Sequence, residues 1–136
     1  MILYNGESLA YVGDSLYELE IRKHLLGKGL TDVNKMHQEA IKYTSGVNQA
    51  AIISYFLKEK ILFDDEIIYY KRGRNANHSK NRRNISVTQY KMATGFEALI
   101  GYLYYSDNIA RMNELINLAI KYVEEVKPNE EENGRN

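Results

Sequence analysis

Two acids stand alone in stretches otherwise made of apolar and small residues: Asp14 in Leu9-Ala10-Tyr11-Val12-Gly13-Asp14-Ser15, and Glu97 in Gly95-Phe96-Glu97-Ala98-Leu99-Ile100-Gly101. Burying an ionised carboxylate without compensation is costly, so each acid calls for a cation, a partner or a polar cleft where its helix meets another. A hard divalent cation takes oxygen ligands, and Mg²⁺ is typically held by one or two carboxylates, with water and substrate phosphate filling an octahedron. Asp14 and Glu97 suffice for such a site, and its chemistry would be attack on a phosphate. Gly13, with Ala98 or Gly101, would let the two helices approach closely.

Asp14, Glu18 and Arg22 follow four-residue spacing and share one helix face. From spacing alone that row reads equally as a solvated ladder of ion pairs. Two roles stay open for Glu18: an outer group behind a metal, or a partner for Arg22. Glu7, at a helix start, reads as a surface acid favoured by the helix dipole.

The basic residues are unevenly placed. The chain of 136 residues carries 18 Lys and Arg against 18 Asp and Glu, so net charge predicts no nucleic-acid partner. Yet Lys71, Arg72, Arg74, Lys80, Arg82 and Arg83 lie close together, and no acid occurs between Glu66 and Glu97. A local basic stripe on a neutral protein is either a solvated loop or a set of phosphate contacts. His24, His37 and His78 lack the spacing of a zinc site, and no glycine pattern for nucleotide binding is present. The twelve tyrosines read mostly as amphipathic core or interface residues.

Helices must position these groups. The single proline is at position 128, and most segments are helix-compatible. A first helix is expected from Glu7 to Leu26, stopped by Gly27-Lys28-Gly29. A second, capped by Thr31 or Asp32, runs through Tyr43; a third spans Val47 to Lys60. Asp64 is expected to cap a fourth, ending near Arg74, with Asp65 and Glu66 against its N-terminal dipole. Residues 75 to 86 read as a loop. Ser86 or Thr88 caps a fifth helix to Tyr105, and a sixth runs from Ile109 to Val126. The tail, 128–136, reads as disordered. One domain of ordinary size is expected. Absent cysteine fits a reducing cytoplasm, and neither a signal peptide nor a membrane-spanning run is apparent.

Gly13-Asp14-Ser15 within Leu9 to Arg22, and Phe96-Glu97-Ala98-Leu99-Ile100-Gly101-Tyr102-Leu103-Tyr104, resemble the two acidic motifs of the ribonuclease III catalytic domain. Tyr17-Glu18 and Arg22, Lys71-Arg72-Gly73-Arg74-Asn75-Ala76, and Thr94-Gly95-Phe96 narrow the resemblance to its short branch, Mini-ribonuclease III. The resemblance implies an all-α, ribonuclease III catalytic-domain-like helical bundle over residues 1–127, forming a homodimer with one site per subunit. It also implies Mg²⁺-dependent endonucleolytic hydrolysis of double-stranded RNA leaving 5′-phosphate ends, in cytoplasmic maturation of the 23S ribosomal RNA precursor. Asp14 and Glu97 would be the catalytic metal ligands, with Glu18 as a weaker metal candidate. Lys71, Arg72, Arg74, Asn75, Lys80, Arg82 and Arg83 would contact RNA.

Larger family members carry an acid four residues before the first motif's aspartate and another three before the second motif's glutamate. Here Ala10 and Thr94 stand instead, which weakens the case for a second tightly held metal. The alternative is a helical RNA-binding protein that keeps the fold and the basic loop but cuts nothing.

Overall fold

The structure, a computed structural model, describes residues 4–76 and 85–134. Every regular element among them is helical, in keeping with the all-α expectation: α1 Gly6–Gly27, α2 Val33–Thr44, α3 Gly46–Lys58, α4 Asp64–Arg74, α5 Val87–Tyr105, α6 Ile109–Lys121, a π-helical turn Tyr122–Val126, and α7 Lys127–Gly134. No helix is long and apolar enough to cross a membrane among the described residues.

The start of α1 is fixed by Asn5, whose side chain accepts from the Ser8 N–H at 2.8 Å. Its end is a left-handed glycine stop: Gly29 has φ +89°, and the Leu30 N–H donates back to the Leu25 carbonyl at 3.3 Å. Along it Leu9, Gly13, Tyr17, Ile21 and Leu25 are buried at four-residue intervals, a stripe that faces inward.

That stripe lies mainly against α5, which also receives α4 and α3. Helix α5 is accordingly buried on almost every side from Ala93 to Leu103, with Glu97 and Tyr102 the half-buried exceptions. Tyr17 meets Phe96 edge to face, with centroids 5.0 Å apart, beside fully buried Phe56, Ile52, Ile53, Leu99 and Ile100. Each such side chain withdrawn from water contributes about 1.5–3 kcal/mol.

Two polar locks hold the periphery. Arg111 at the start of α6 donates twice to Glu66 of α4, at 2.8 and 2.9 Å, and once to the Ile61 carbonyl at 2.8 Å. Glu66 also accepts the Phe63 N–H at 2.8 Å. Phe63, not Asp64, is therefore the residue before the first helical turn of α4. At the other lock, Glu124 of the π-helical turn accepts from Tyr43 at 2.5 Å and Lys28 at 3.1 Å, and pairs with His24 at 2.8 Å.

Two spans depart from the sequence expectation. The sixth helix winds regularly only to Lys121 before the wide turn. Residues 127–134 form a helix where composition suggested disorder; it follows the wide turn without a break, and Tyr122 donates to Glu130 at 3.1 Å.

Candidate active site

Glycines decide where the three site-bearing helices touch. A Cβ on Gly13 would lie 1.8 Å from the Glu97 carbonyl oxygen and 2.9 Å from the Gly101 nitrogen; one on Gly101 would lie 2.2 Å from the Leu9 carbonyl oxygen. Helices α1 and α5 thus cross with their backbones in contact, and the crossing point falls at Glu97 itself and at the neighbour of Asp14. Asp14 is exposed and Glu97 is half-buried. Gly13, rather than the acid, takes the buried position on α1, so Asp14 avoids the desolvation its apolar sequence surroundings suggested.

The last turns of α4 join the same junction. A Cβ on Gly73 would be 2.4 Å from the Ala98 Cβ, one on Gly95 2.6 Å from the Tyr70 ring, and one on Gly6 2.4 Å from the Arg72 carbonyl oxygen. Gly6 and Gly13 are two turns apart on α1, about 10 Å along its axis. The Arg72-Gly73-Arg74 segment therefore packs against Ala98, the neighbour of Glu97, and against the start of α1. A glycine inside a helix costs about 1 kcal/mol relative to alanine, so Gly73 between two arginines was a legible sign of close approach.

Glu18 is paired with Arg22, at 3.2 Å to the terminal nitrogen and 3.3 Å to Nε, which is one of the two roles the sequence left open. Among the described residues no group of three or more acidic or histidine side chains is arranged around a metal position. Asp14 and Glu97 are the acids nearest the Gly13–Glu97 backbone contact in the sequence. All-oxygen donors of this kind suit a hard cation that keeps open positions for water and phosphate.

Lys71, Arg72 and Asn75 are exposed and Arg74 is half-buried. Arg74 Nε donates to Asn75 Oδ1 at 3.2 Å, and its guanidinium lies 5.6 Å from the Tyr70 ring centroid. Burial raises the Tyr70 phenol pKa, against the pull of Arg74. Lys80, Arg82 and Arg83, with His78, lie outside the described residues.

Ala10 and Thr94 are buried in this junction, Thr94 with its hydroxyl donating to the Tyr90 carbonyl at 2.9 Å. Ala10 forms a small cluster with Leu9 and Ala98, against which Tyr69 and Tyr102 pack. Sequence reasoning did not single out Tyr69, and read Asp65 only as an acid at the start of α4. The two rings stack at 3.8 Å and 8°, and the Tyr102 hydroxyl donates to Asp65 at 2.6 Å. That bond, with partial burial, pushes the Tyr102 pKa up to about 12.

A model of the ribonuclease III domain matches residues 7–108 of this chain. With its helical fold and this match, the chain belongs to the ribonuclease III domain family and is an endoribonuclease. Its relatives narrow the branch. A Mini-ribonuclease 3 of Streptococcus pneumoniae is 46% identical over 122 residues, spanning 90% of this chain and 95% of that protein. One of Acholeplasma laidlawii is 46% identical over 121 residues, spanning 89% and 95%. A crystal structure of a Fusobacterium nucleatum protein superposes with TM-score 0.77 at 29% identity, covering 88% of this chain and 93% of that one. This is the Mini-ribonuclease 3 branch of the family.

Proposed function

We propose that the chain cleaves double-stranded RNA as a homodimer in the cytoplasm, in maturation of the 23S ribosomal RNA precursor, with residues 1–127 as the catalytic domain. The observation that supports the chemistry is the backbone contact of Gly13 with Glu97, which sets the neighbour of Asp14 against the backbone of the second acid. These two carboxylates would hold Mg²⁺, while Glu18 stays with Arg22 and bears on the site only through that pair. When bound, Mg²⁺ supplies Lewis-acid polarisation of a phosphate.

The protein's own residues do the rest. Lys71, Arg72, Arg74 and Asn75, continued by Lys80, Arg82 and Arg83, supply donors and positive charge for an RNA backbone. A-form RNA offers shape, phosphates and 2′-hydroxyls, so such contacts bind a duplex without reading its bases. Their place at the end of α4 holds the strand over the acids, and orientation of this kind accounts for much of an enzyme's rate.

Support for the dimer comes from an aromatic edge on α1. Tyr11 is 81% exposed, in a surface groove lined also by Tyr4, Glu7, Ser8, Val12 and Tyr105. Tyr4 and Tyr104 both lie against Tyr105, at 4.9 and 5.2 Å. An exposed aromatic patch marks an interaction surface, and a two-fold contact through α1 would set the two Asp14 sites facing opposite strands.

The test is duplex RNA incubated with purified protein, with Mg²⁺ and with EDTA, alongside Asp14→Asn and Glu97→Gln. Each variant keeps shape and loses charge, so cleavage should vanish while folding and most RNA binding persist. Near-normal turnover in either variant would refute the assignment. Binding without cleavage by the unaltered protein would favour a non-catalytic RNA-binding role.

A further inference from the structure

We propose that Tyr69 and Tyr102 are positioning residues that hold the Arg72 guanidinium, face against ring, so that its N–H edge is presented to an RNA phosphate. The inference rests on the reading of Arg72 as a phosphate contact.

Three observations carry it. The Arg72 guanidinium carbon lies 4.5 Å from the centroid of the Tyr69 ring, well inside cation–π range. Tyr69 is itself backed by Tyr102 of α5, almost parallel at 3.8 Å. Rings stacked this closely are weakly attractive unless offset, and here the pair is clamped: the Tyr102 hydroxyl reaches across to Asp65 of α4 at 2.6 Å, and both rings pack against Leu9, Ala10 and Ala98. The platform under Arg72 is therefore fixed to three helices.

The third observation concerns what Arg72 does not do. Arg22 and Arg111 commit their donors to Glu18 and to Glu66, whereas no carboxylate among the described residues pairs with Arg72. Stacking occupies the face of a guanidinium and leaves its planar fork of N–H groups unengaged, the geometry that grips a phosphate bidentately. A long arginine side chain at an exposed helix end otherwise loses rotamer freedom when it binds, and a platform that restrains it beforehand lowers that cost. Ala10 belongs to the same arrangement, because a larger acid at that position would stand where the two rings pack.

The experiment measures KM and kcat for duplex cleavage, the salt dependence of RNA binding, and thermal unfolding. The variants are Tyr69→Leu, Tyr69→Phe, Arg72→Ala and the double variant Tyr69→Leu/Arg72→Ala. Loss of an exposed cation–π contact predicts a KM increase of about threefold for Tyr69→Leu, little change in kcat, and rescue by Tyr69→Phe. Arg72→Ala should raise KM and flatten the salt slope by roughly one. The double variant should be no worse than Arg72→Ala alone, since Tyr69 acts through Arg72.

If the two effects instead multiply, Tyr69 acts by another route; the proposal falls and the role of Arg72 stands. An Arg72→Ala protein with unchanged KM and slope removes both. Should Tyr69→Leu fail to fold, Tyr102→Phe keeps the ring and deletes only the bond to Asp65. A KM increase that disappears in the Arg72→Ala background then supports the platform, and an unchanged KM overturns it.

Discussion

Gly13 rests on the backbone carbonyl of Glu97, so tightly that a methyl group on Gly13 would overlap that oxygen at 1.8 Å. The carbonyl cannot retreat without moving α5, because Gly101 is in equally close contact with Leu9 one turn further along. The approach of α1 to α5 next to Asp14 and at Glu97 is thus set by the absence of side chains at Gly13 and Gly101.

Gly13→Ala should therefore be one of the most damaging small substitutions in the chain. Alanine gains about 1 kcal/mol of helix propensity, but overpacking against rigid backbone costs about 3 kcal/mol or more. Net destabilisation of about 2 kcal/mol or more is expected from urea denaturation. Turnover at saturating RNA should fall further than stability alone explains, since a misplacement near 1 Å costs about 100-fold in rate.

The Glu66–Arg111 pair predicts a large effect far from the chemistry. Glu66 is 1% exposed and the Arg111 side chain 11%, with both carboxylate oxygens engaged by the guanidinium. Removing one partner of such a pair leaves a buried charge unmatched and costs about 3–5 kcal/mol. Glu66→Leu and Arg111→Met should each approach that figure, while the double variant should cost less than either. Denaturation midpoints of the three proteins test this.

Stability should fall at acid pH through Glu124. Partial burial raises its pKa, but the bonds from Tyr43, His24 and Lys28 outweigh it and hold the carboxyl at about 2, below its usual 4.5. A depressed folded-state value stabilises the protein above the unfolded-state pKa and loses that contribution as pH drops toward 2. With the side chain 30% exposed, solvent screening reduces the contribution to roughly 1 kcal/mol at neutral pH. Glu124→Gln should cost about that much at pH 7 and little at pH 2, a convergence measurable by chemical denaturation across the range.

The basic segment should govern affinity more than rate. Replacing Arg72, Arg74, Arg82 and Arg83 by alanine should weaken duplex binding at low salt and flatten its salt dependence by roughly one per lost contact. Turnover at saturating RNA should drop less than affinity. An unchanged slope would mean that the segment is merely solvated.

Periodicity and punctuation made most helices legible. Gly27-Lys28-Gly29, Asp32 and Ser86 each carry a local stop or start, and all three act as local chemistry predicts. The Gly13–Gly101 approach was legible too, because small residues beside a lone acid have few other uses in a helix. What stayed hidden depends on which faces meet. Glu66 reads locally as a dipole-favoured acid, and nothing near it announces Arg111, 45 residues away. Tyr69 and Tyr102 are ordinary amphipathic tyrosines until α4 and α5 are laid together at Gly73 and Ala98. The wide turn at Tyr122 leaves no mark in a sequence whose apolar stripe runs on unbroken.

That turn has a consequence for chain length. A π-helical turn holds one residue more than regular winding would, and each α-helical residue advances about 100° around the axis. The turn takes up that extra residue locally, and Glu124 within it meets Tyr43, His24 and Lys28. Deleting one residue from Tyr122–Val126 would restore even winding and leave the following helix facing nearly as before, since the five residues of the wide turn sweep about the same angle as four regular ones. A one-residue change in length here is therefore absorbed by the turn instead of being passed on as a rotation, and a homologue one residue shorter would keep the face of its last helix.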